Sequence, residues 1–480
     1  MSLSSALNIA QSSIRNVGRQ TSVVSRNVLE ANNTDYSRRT AVVTSTAPGA
    51  RVLEIQRATN DQLFRQNLSA LSQWSGQSTL FSGMELLSVS VNGIDNAGSP
   101  ASAIGRLQEA LQLYSTVPSN QNLAESALDA ARQVVRSLND GTVAIRAIRS
   151  ESDQQIASSV HELNNLLADF KNSNDLIIQG TRAGKDVSDQ FDQRDATLKK
   201  IAEYVPVTTL SRADNDMVLM TNDGTMLFES VPRAVTFTPS SVLGAGADGN
   251  SVYIDGVAVK GGSPASGKLA GLTQLRDNVA TTMQSQLDEI ARGLITAFAE
   301  AAPAQPDAPG LFTWPGAPGM PAGGTLIDGL AGMIRLNGAI DSAQGGNPNL
   351  LRDGGANGAA YIANTTGGTS YSELLIAYAD RIDAPMAFDP ATGIDATSSL
   401  NAYSTNAIGW FEATRQSASN ALQSSEALAI RTAEALSNET GVNVDMEMSL
   451  LLDLEHSYEA SARLLSVIDE MLASLLAAVR

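Results

Sequence analysis

The 480-residue chain contains no cysteine, only two histidines (His161 and His456) and only six lysines. Without thiols there is no disulfide scaffold, no thiolate zinc site and no cysteine nucleophile. Aromatic residues make up 5% of the chain, and no run approaches the ~20 apolar residues of a membrane-spanning helix. Cations are outnumbered 32 to 50 by acids, for a net charge of −18. Such a balance repels phosphate backbones, so neither nucleic-acid binding nor membrane insertion is expected. What remains, 43% apolar and 17% charged, is the composition of a folded chain with a length of about three domains. Residues 1–28 lack a basic segment ahead of an apolar block and a small-residue cleavage site, so no cleaved signal peptide is expected.

The first segment carries a helix signal instead. Leu3, Leu7, Ala10, Ile14, Val17, Thr21, Val24 and Val28 alternate steps of four and three, the a/d seam of a coiled coil. So narrow a stripe needs a partner helix. The last forty residues offer one, with Val444, Met448, Leu451, Leu454, Tyr458, Ala462, Leu465, Ile468, Leu472, Leu475 and Val479 on a second stripe. Residues 1–40 hold five arginines against two acids, and residues 441–480 hold two arginines against seven acids, so the charges are complementary. The plainer alternative is that each stripe packs on a globular core. A strict heptad from Val444 would put Glu455 and Asp469 at core positions. Either a period of 3.6 brings Leu454 and Ile468 inward and turns both acids to solvent, or Glu455 pairs with Arg15 or Arg19 in an assembly.

Between the ends the pattern changes several times. Residues 60–115 and 121–203 read as long helices, with Ala124, Leu128, Ala131, Val135 and Leu138 on one stripe. From Val205 the period falls to two, in short β-branched runs parted by Asp, Asn, Gly and Pro, with Asn222-Asp223-Gly224 as a type I′ turn signal. Helix returns near Lys268, the Pro- and Gly-rich stretch 301–325 reads as irregular, and helix resumes near Thr405. The expected fold is mainly α with a β-rich middle. Terminal coiled-coil helices (1–40 and 441–480) enclose a helical bundle (41–204, 266–300 and 401–440). That bundle encloses a small antiparallel β domain (205–265) and an irregular outer excursion or loose subdomain (301–400).

No constellation argues for catalysis, a metal or a cofactor. Gly244-Ala-Gly246-Ala-Asp-Gly249 matches G-x-G-x-x-G, but a strand follows it where a dinucleotide site needs a helix, so it reads as a hairpin loop. His161 and His456 lie apart within helical patterns. Asp189, Asp192 and Asp195 share a helix face and, with Arg194 interleaved, read as a solvated acidic first turn rather than paired catalytic carboxylates.

The run from Ser25 to Arg38 resembles the N-terminal signature of flagellar rod, hook and hook-associated proteins at Ser25, Asn27, Ala31, Asn32, Tyr36, Ser37 and Arg38, with Asn33-Thr34-Asp35 where that signature has Thr-Pro-Gly. Asn443-Val444-Asp445-Met446-Glu447-Met448 and Asp469-Glu470-Met471-Leu472 resemble its C-terminal counterpart. Asp192-Gln193-Arg194-Asp195 and Leu269-Ala-Gly271-Leu272 through Arg276-Asp277 resemble segments of the hook-associated protein 1 family, whose members form the hook–filament junction. The resemblance implies a structural, non-enzymatic subunit, exported unfolded through the flagellar type III channel and assembled outside the cell. Its implied partners are copies of itself, the hook protein, a neighbouring hook-associated protein on the filament side, the export apparatus and a dedicated export chaperone. The seam residues, Val479 included, become its expected assembly interface. Asn27, Asn32, Tyr36, Arg38, Asp192, Arg194, Asp195, Arg276 and Asp277 are its signature residues. The termini would equally fit a hook or other rod/hook protein, and a secreted adhesin or enzyme would have to place its site in 205–400.

Overall fold

A computed structural model describes residues 3–46, 49–259 and 265–478. Helix α1 (Leu3–Leu29) leads through a turn into a hairpin of β1 (Arg39–Thr46) and β2 (Gly49–Arg57). Helices α2 (Asp61–Asn92), α3 (Pro100–Thr116), α4 (Gln121–Arg182) and α5 (Ser188–Tyr204) follow. The middle holds β3 (Val207–Ser211), β4 (Met217–Thr221), β5 (Met226–Phe228), β6 (Val235–Thr236), β7 (Tyr253–Ile254) and β8 (Val257–Ala258), in two antiparallel three-stranded sheets ordered β3-β4-β5 and β6-β7-β8. Helix α6 (Lys268–Gln274) runs through a π turn at Leu275–Val279 into α7 (Ala280–Ala297). Beyond it lie β9 (Ala299–Ala302), β10 (Gln305–Pro309), β11 (Phe312–Thr313), β12 (Arg335–Leu336), α8 (Leu350–Asp353), α9 (Glu373–Asp383), β13 (Met386–Ala387) and β14 (Thr397–Ser398). Two long helices, α10 (Leu400–Thr440) and α11 (Val444–Ala478), close the chain.

Helix α4 organises the body. Its 62 residues, about 90 Å of helix, begin behind an Asn120 cap whose side chain accepts from the Asn122 amide. Its first half packs with α3, α7 and α10 around Leu128, Leu138, Leu287, Leu294 and Phe411. Its second half packs with α5 and the sheets around Leu163, Phe170, Leu198, Leu219 and Phe228. Where α2 meets α6 the backbones come close: a Cβ on Gly271 would lie 2.5 Å from the Gly76 carbonyl oxygen.

Three sequence expectations need correction. Residues 41–57, assigned to the helical bundle, belong to the β1–β2 hairpin, whose first strand alternates Thr40, Val42 and Thr44. Residues 301–400 are neither loose nor separate. Leu311, Phe312, Leu330, Ile334, Leu375 and Tyr378 are buried in the same continuous core as α3, α4 and α7. The prolines of 301–309 sit in the β9–β10 hairpin, whose pairing is irregular between Gln305 and Ala308, so they remove few ladder hydrogen bonds. In the β4–β5 turn only Gly224 has a positive φ, so the turn is a three-residue loop with left-handed Gly224 rather than type I′.

The terminal helices pair with each other. Val17 and Val24 of α1 enclose Leu454 of α11, with Leu451 beside them, and the Ser13 and Ser461 hydroxyls are 2.8 Å apart. Ala10 and Ile468 are also buried, whereas Glu455 and Asp469 are exposed, as the 3.6-residue period requires. Leu3, Leu7, Ile14, Thr21, Val28, Leu451, Ala462, Leu465 and Leu472 are partly covered, while Val444, Met448 and Tyr458 are exposed. Val479 lies outside the described residues.

Candidate functional site

The outward and returning chains cross at one neck, and most of the signature residues meet there. The Arg38 amide donates to the Thr440 carbonyl at 2.8 Å, tying the start of β1 to the end of α10. Beneath this contact lies Asn27, in the last turns of α1, with no solvent exposure. Its Oδ1 accepts from the Tyr36 hydroxyl at 2.8 Å and from the Arg39 amide at 3.1 Å. Its Nδ2 donates to the Arg39 carbonyl at 2.8 Å and to Glu447 Oε2 at 3.0 Å. Two donors and two acceptor positions are all an amide has, and all four are used. Glu447, equally buried, takes the Arg38 Nε at 2.6 Å on its other oxygen. The N-terminal helix, the hairpin and the C-terminal helix therefore share one hydrogen-bonded knot.

Glu447 was not among the expected interface residues, although a signal existed. Positions 447, 454, 461 and 468 form one heptad row, so the row that buries Leu454 and Ile468 opens with an acid. Asn16 was missed too. Buried in mid-helix, its Oδ1 accepts from the Val52 amide at 3.1 Å and its Nδ2 donates to the Ala50 carbonyl, pinning β2 to α1.

A second layer joins this knot to α5. Asp189 accepts from Arg26 at 2.6 Å and from Arg39 at 2.6 Å. Asp192 accepts from Arg39 at 2.8 Å and from Arg57 at 2.7 Å, and Asp195 accepts from Arg57 at 2.6 Å. The three aspartates recur every three residues along the first turns of α5, and the arginines interleave with them as a ladder. The reading of these acids as a solvated turn holds only for Asp189, which is 53% exposed; Asp192 is 13% exposed and Asp195 17%. Cations from three other elements cover them, and no local periodicity announces such partners. Burial would raise Asp189, but the Arg39 and Arg26 guanidiniums outweigh it and hold the carboxyl below its usual range. At Asp195 burial prevails over Arg57 and Arg194 and pushes the carboxyl up. Arg194 points the other way, donating to Asn174 Oδ1 at 2.9 Å and the Asn215 carbonyl at 2.8 Å, and so fixes α5 to α4. Asn32 is exposed on the rim of a 1260 Å³ cleft that runs between β2 and the end of α10.

Arg276 and Asp277 lie elsewhere, on the π turn. Buried Arg276 pairs with Asp153 and, at 2.6 Å, with Asp277, and donates to the Asn250 carbonyl at 2.9 Å. Arg149 donates to the carbonyls of Gly244, at 2.6 Å, and Ala247. The G-x-G-x-x-G stretch is thus a β6–β7 connection clasped by two arginines, and a Cβ on Gly249 would strike the Arg276 guanidinium. His161 and His456 are exposed, and among the described residues no cluster has a metal-binding composition.

Residues 93–310 match the family model described as the flagellar hook-associated protein FlgK helical domain. That span, a little under half of the chain, is similar to the helical domain of the flagellar hook-associated family. Residues 435–478 match the model of the flagellar basal body rod FlgEFG protein C-terminal region, which takes in Glu447 and α11. The first span takes in the α5 aspartates and the π turn; Asn27, Tyr36 and Arg38 precede both spans. No curated protein matches the chain. Among solved structures, the flagellar hook junction protein FlgK from Burkholderia pseudomallei is similar at 17% identity and a TM-score of 0.43. That match covers 52% of this chain and 46% of the other, about half of each. That family is structural rather than enzymatic. Among the described residues no helix is long and apolar enough to cross a membrane.

Proposed function

We propose that the chain joins the hook to the filament, assembling with its own copies through α1 and α11 outside the cell after export through the flagellar type III apparatus. Hook protein on one side, a further hook-associated protein leading to the filament on the other, and an export chaperone beforehand are the partners of this reading. One observation carries it. Helix α1 covers one side of α11 only, and Met446, Leu450, Leu464, Val467, Met471 and Leu475 remain exposed along the helix. A row of that kind on a lone chain is unfavourable at roughly 25 cal/mol per Å², and neighbouring copies would bury it. The absence of cysteine suits passage and assembly without cross-linking.

The test is genetic. A strain lacking the chain should build hooks, release flagellin and carry no attached filaments. Complementation with Leu464→Asp or Met471→Asp should fail although the variants are exported. Attached filaments in the deletion strain would overturn the proposal.

A further inference from the structure

We infer that the arginine–aspartate ladder is the clasp of a hinge that sets the angle between the terminal helix pair and the helical body. Three observations lead there. The terminal pair has its own small apolar cluster of Val17, Val24, Leu451 and Leu454, apart from the two cores of the body. Its connections to the body are two short segments at the neck, between Arg57 and Asp61 and between Thr440 and Val444. What docks it beyond the neck is charge: Arg26, Arg39 and Arg57 on Asp189, Asp192 and Asp195, with Lys199 on Asp35 at 2.8 Å alongside.

The room for such a swing lies directly beside the clasp, in the 1260 Å³ cleft that Arg57 and Asp195 of the inner rung line together with β2 at Val52–Ile55, Phe64 of α2 and the end of α10 at Ala433–Thr440. Swinging the terminal pair about the neck closes or widens this cleft without exposing a buried apolar core. The clasp is graded as well. The outer rung, Arg26 with Asp189, is 48% and 53% exposed, so salt screens it readily. The inner rungs keep Arg39 at 3% exposure, stacked 4.8 Å from the Tyr36 ring, and these hold longest. The hinge therefore yields in two stages, with the outer rung first.

Because the chain has no cysteine, two introduced ones report without background. Gly18→Cys on α1 and Asn172→Cys on α4, both exposed, carry spin labels on the full chain for pulsed dipolar distance measurement. At low salt one narrow distance is expected. Raising salt to about 1 M should widen the distribution at least twofold, and Asp192→Asn should do so at low salt. Arg415→Gln, which removes an ion pair to Glu85 away from the neck, should leave it narrow. A distribution unchanged by salt in the otherwise native chain overturns the inference, even if Asp192→Asn fails to fold. Equal widening by Arg415→Gln overturns it too.

Discussion

Replacing Asn27 by alanine removes a side chain through which α1 bonds both the hairpin and α11. Four hydrogen bonds go, from a side chain with no solvent exposure. The Tyr36 hydroxyl, the Arg39 amide and the Arg39 carbonyl are left buried without that partner, while Glu447 keeps Arg38. At ~1–3 kcal/mol for each orphaned buried group, with partial relaxation of the tyrosine, the loss comes to about 3–5 kcal/mol. Tryptophan fluorescence would miss it, because Trp74, Trp314 and Trp410 all belong to the body. Hydrogen exchange resolved by segment is the suitable assay. Amides of α1, β1 and the first turns of α11 should exchange faster by roughly two to three orders of magnitude, at about 1.4 kcal/mol per tenfold. Amides of α3 and the first half of α4 should not change. Asn27→Asp preserves the shape but sets a second carboxylate against Glu447, and should loosen the same segments more at pH 7 than at pH 4. Protection in α1 within about 0.5 kcal/mol of the unmodified chain would refute the argument that this amide holds the neck together.

Gly271→Ala should lower stability by about 1–3 kcal/mol in denaturant titration, since the new methyl meets the Gly76 carbonyl; an unchanged midpoint would mean that α2 and α6 separate freely. Arg149→Met should release the 244–249 connection, giving proteolytic cleavage there while the long helices keep their circular dichroism. Asp288 is raised from 3.8 to about 6 by burial, against the Ala331 and Gly329 amides that it accepts. A raised carboxyl favours the fold below the unfolded value and loses that contribution as pH climbs through about 6. Melting between pH 4 and 7 should therefore decline with pH by up to about 3 kcal/mol, and Asp288→Asn should flatten that slope.

Legibility in the sequence followed the range of each signal. The helices announced themselves through apolar steps of three and four, because packing on one side imposes that period wherever a helix lies. The hairpin at 39–57 carried alternation too, but its length and flanking helices concealed it. Residues 301–400 read as irregular because their anchors, such as Phe312, Ile334 and Tyr378, follow no period; a core can be filled from loops when the receiving helices are regular. At the neck, Asn27, Tyr36 and Arg38 were identifiable by resemblance. What they touch was not: Glu447 lies 420 positions from Asn27, and Arg57 lies 135 from Asp192. Ion pairs of that separation leave no trace in local pattern, so a carboxylate bound for a buried ladder looks like any helix-start acid.

The contact between the Arg38 amide and the Thr440 carbonyl has a topological consequence. Since the two crossing strands touch, residues 39–439 amount to one long insertion between two helices that pair with each other. The ends of that insertion are fixed a single hydrogen bond apart, whatever its contents. Its length and outer shape can therefore change by whole subdomains while the terminal pair keeps its register. The same closeness makes the neck a natural place to graft a foreign folded unit whose own termini are adjacent.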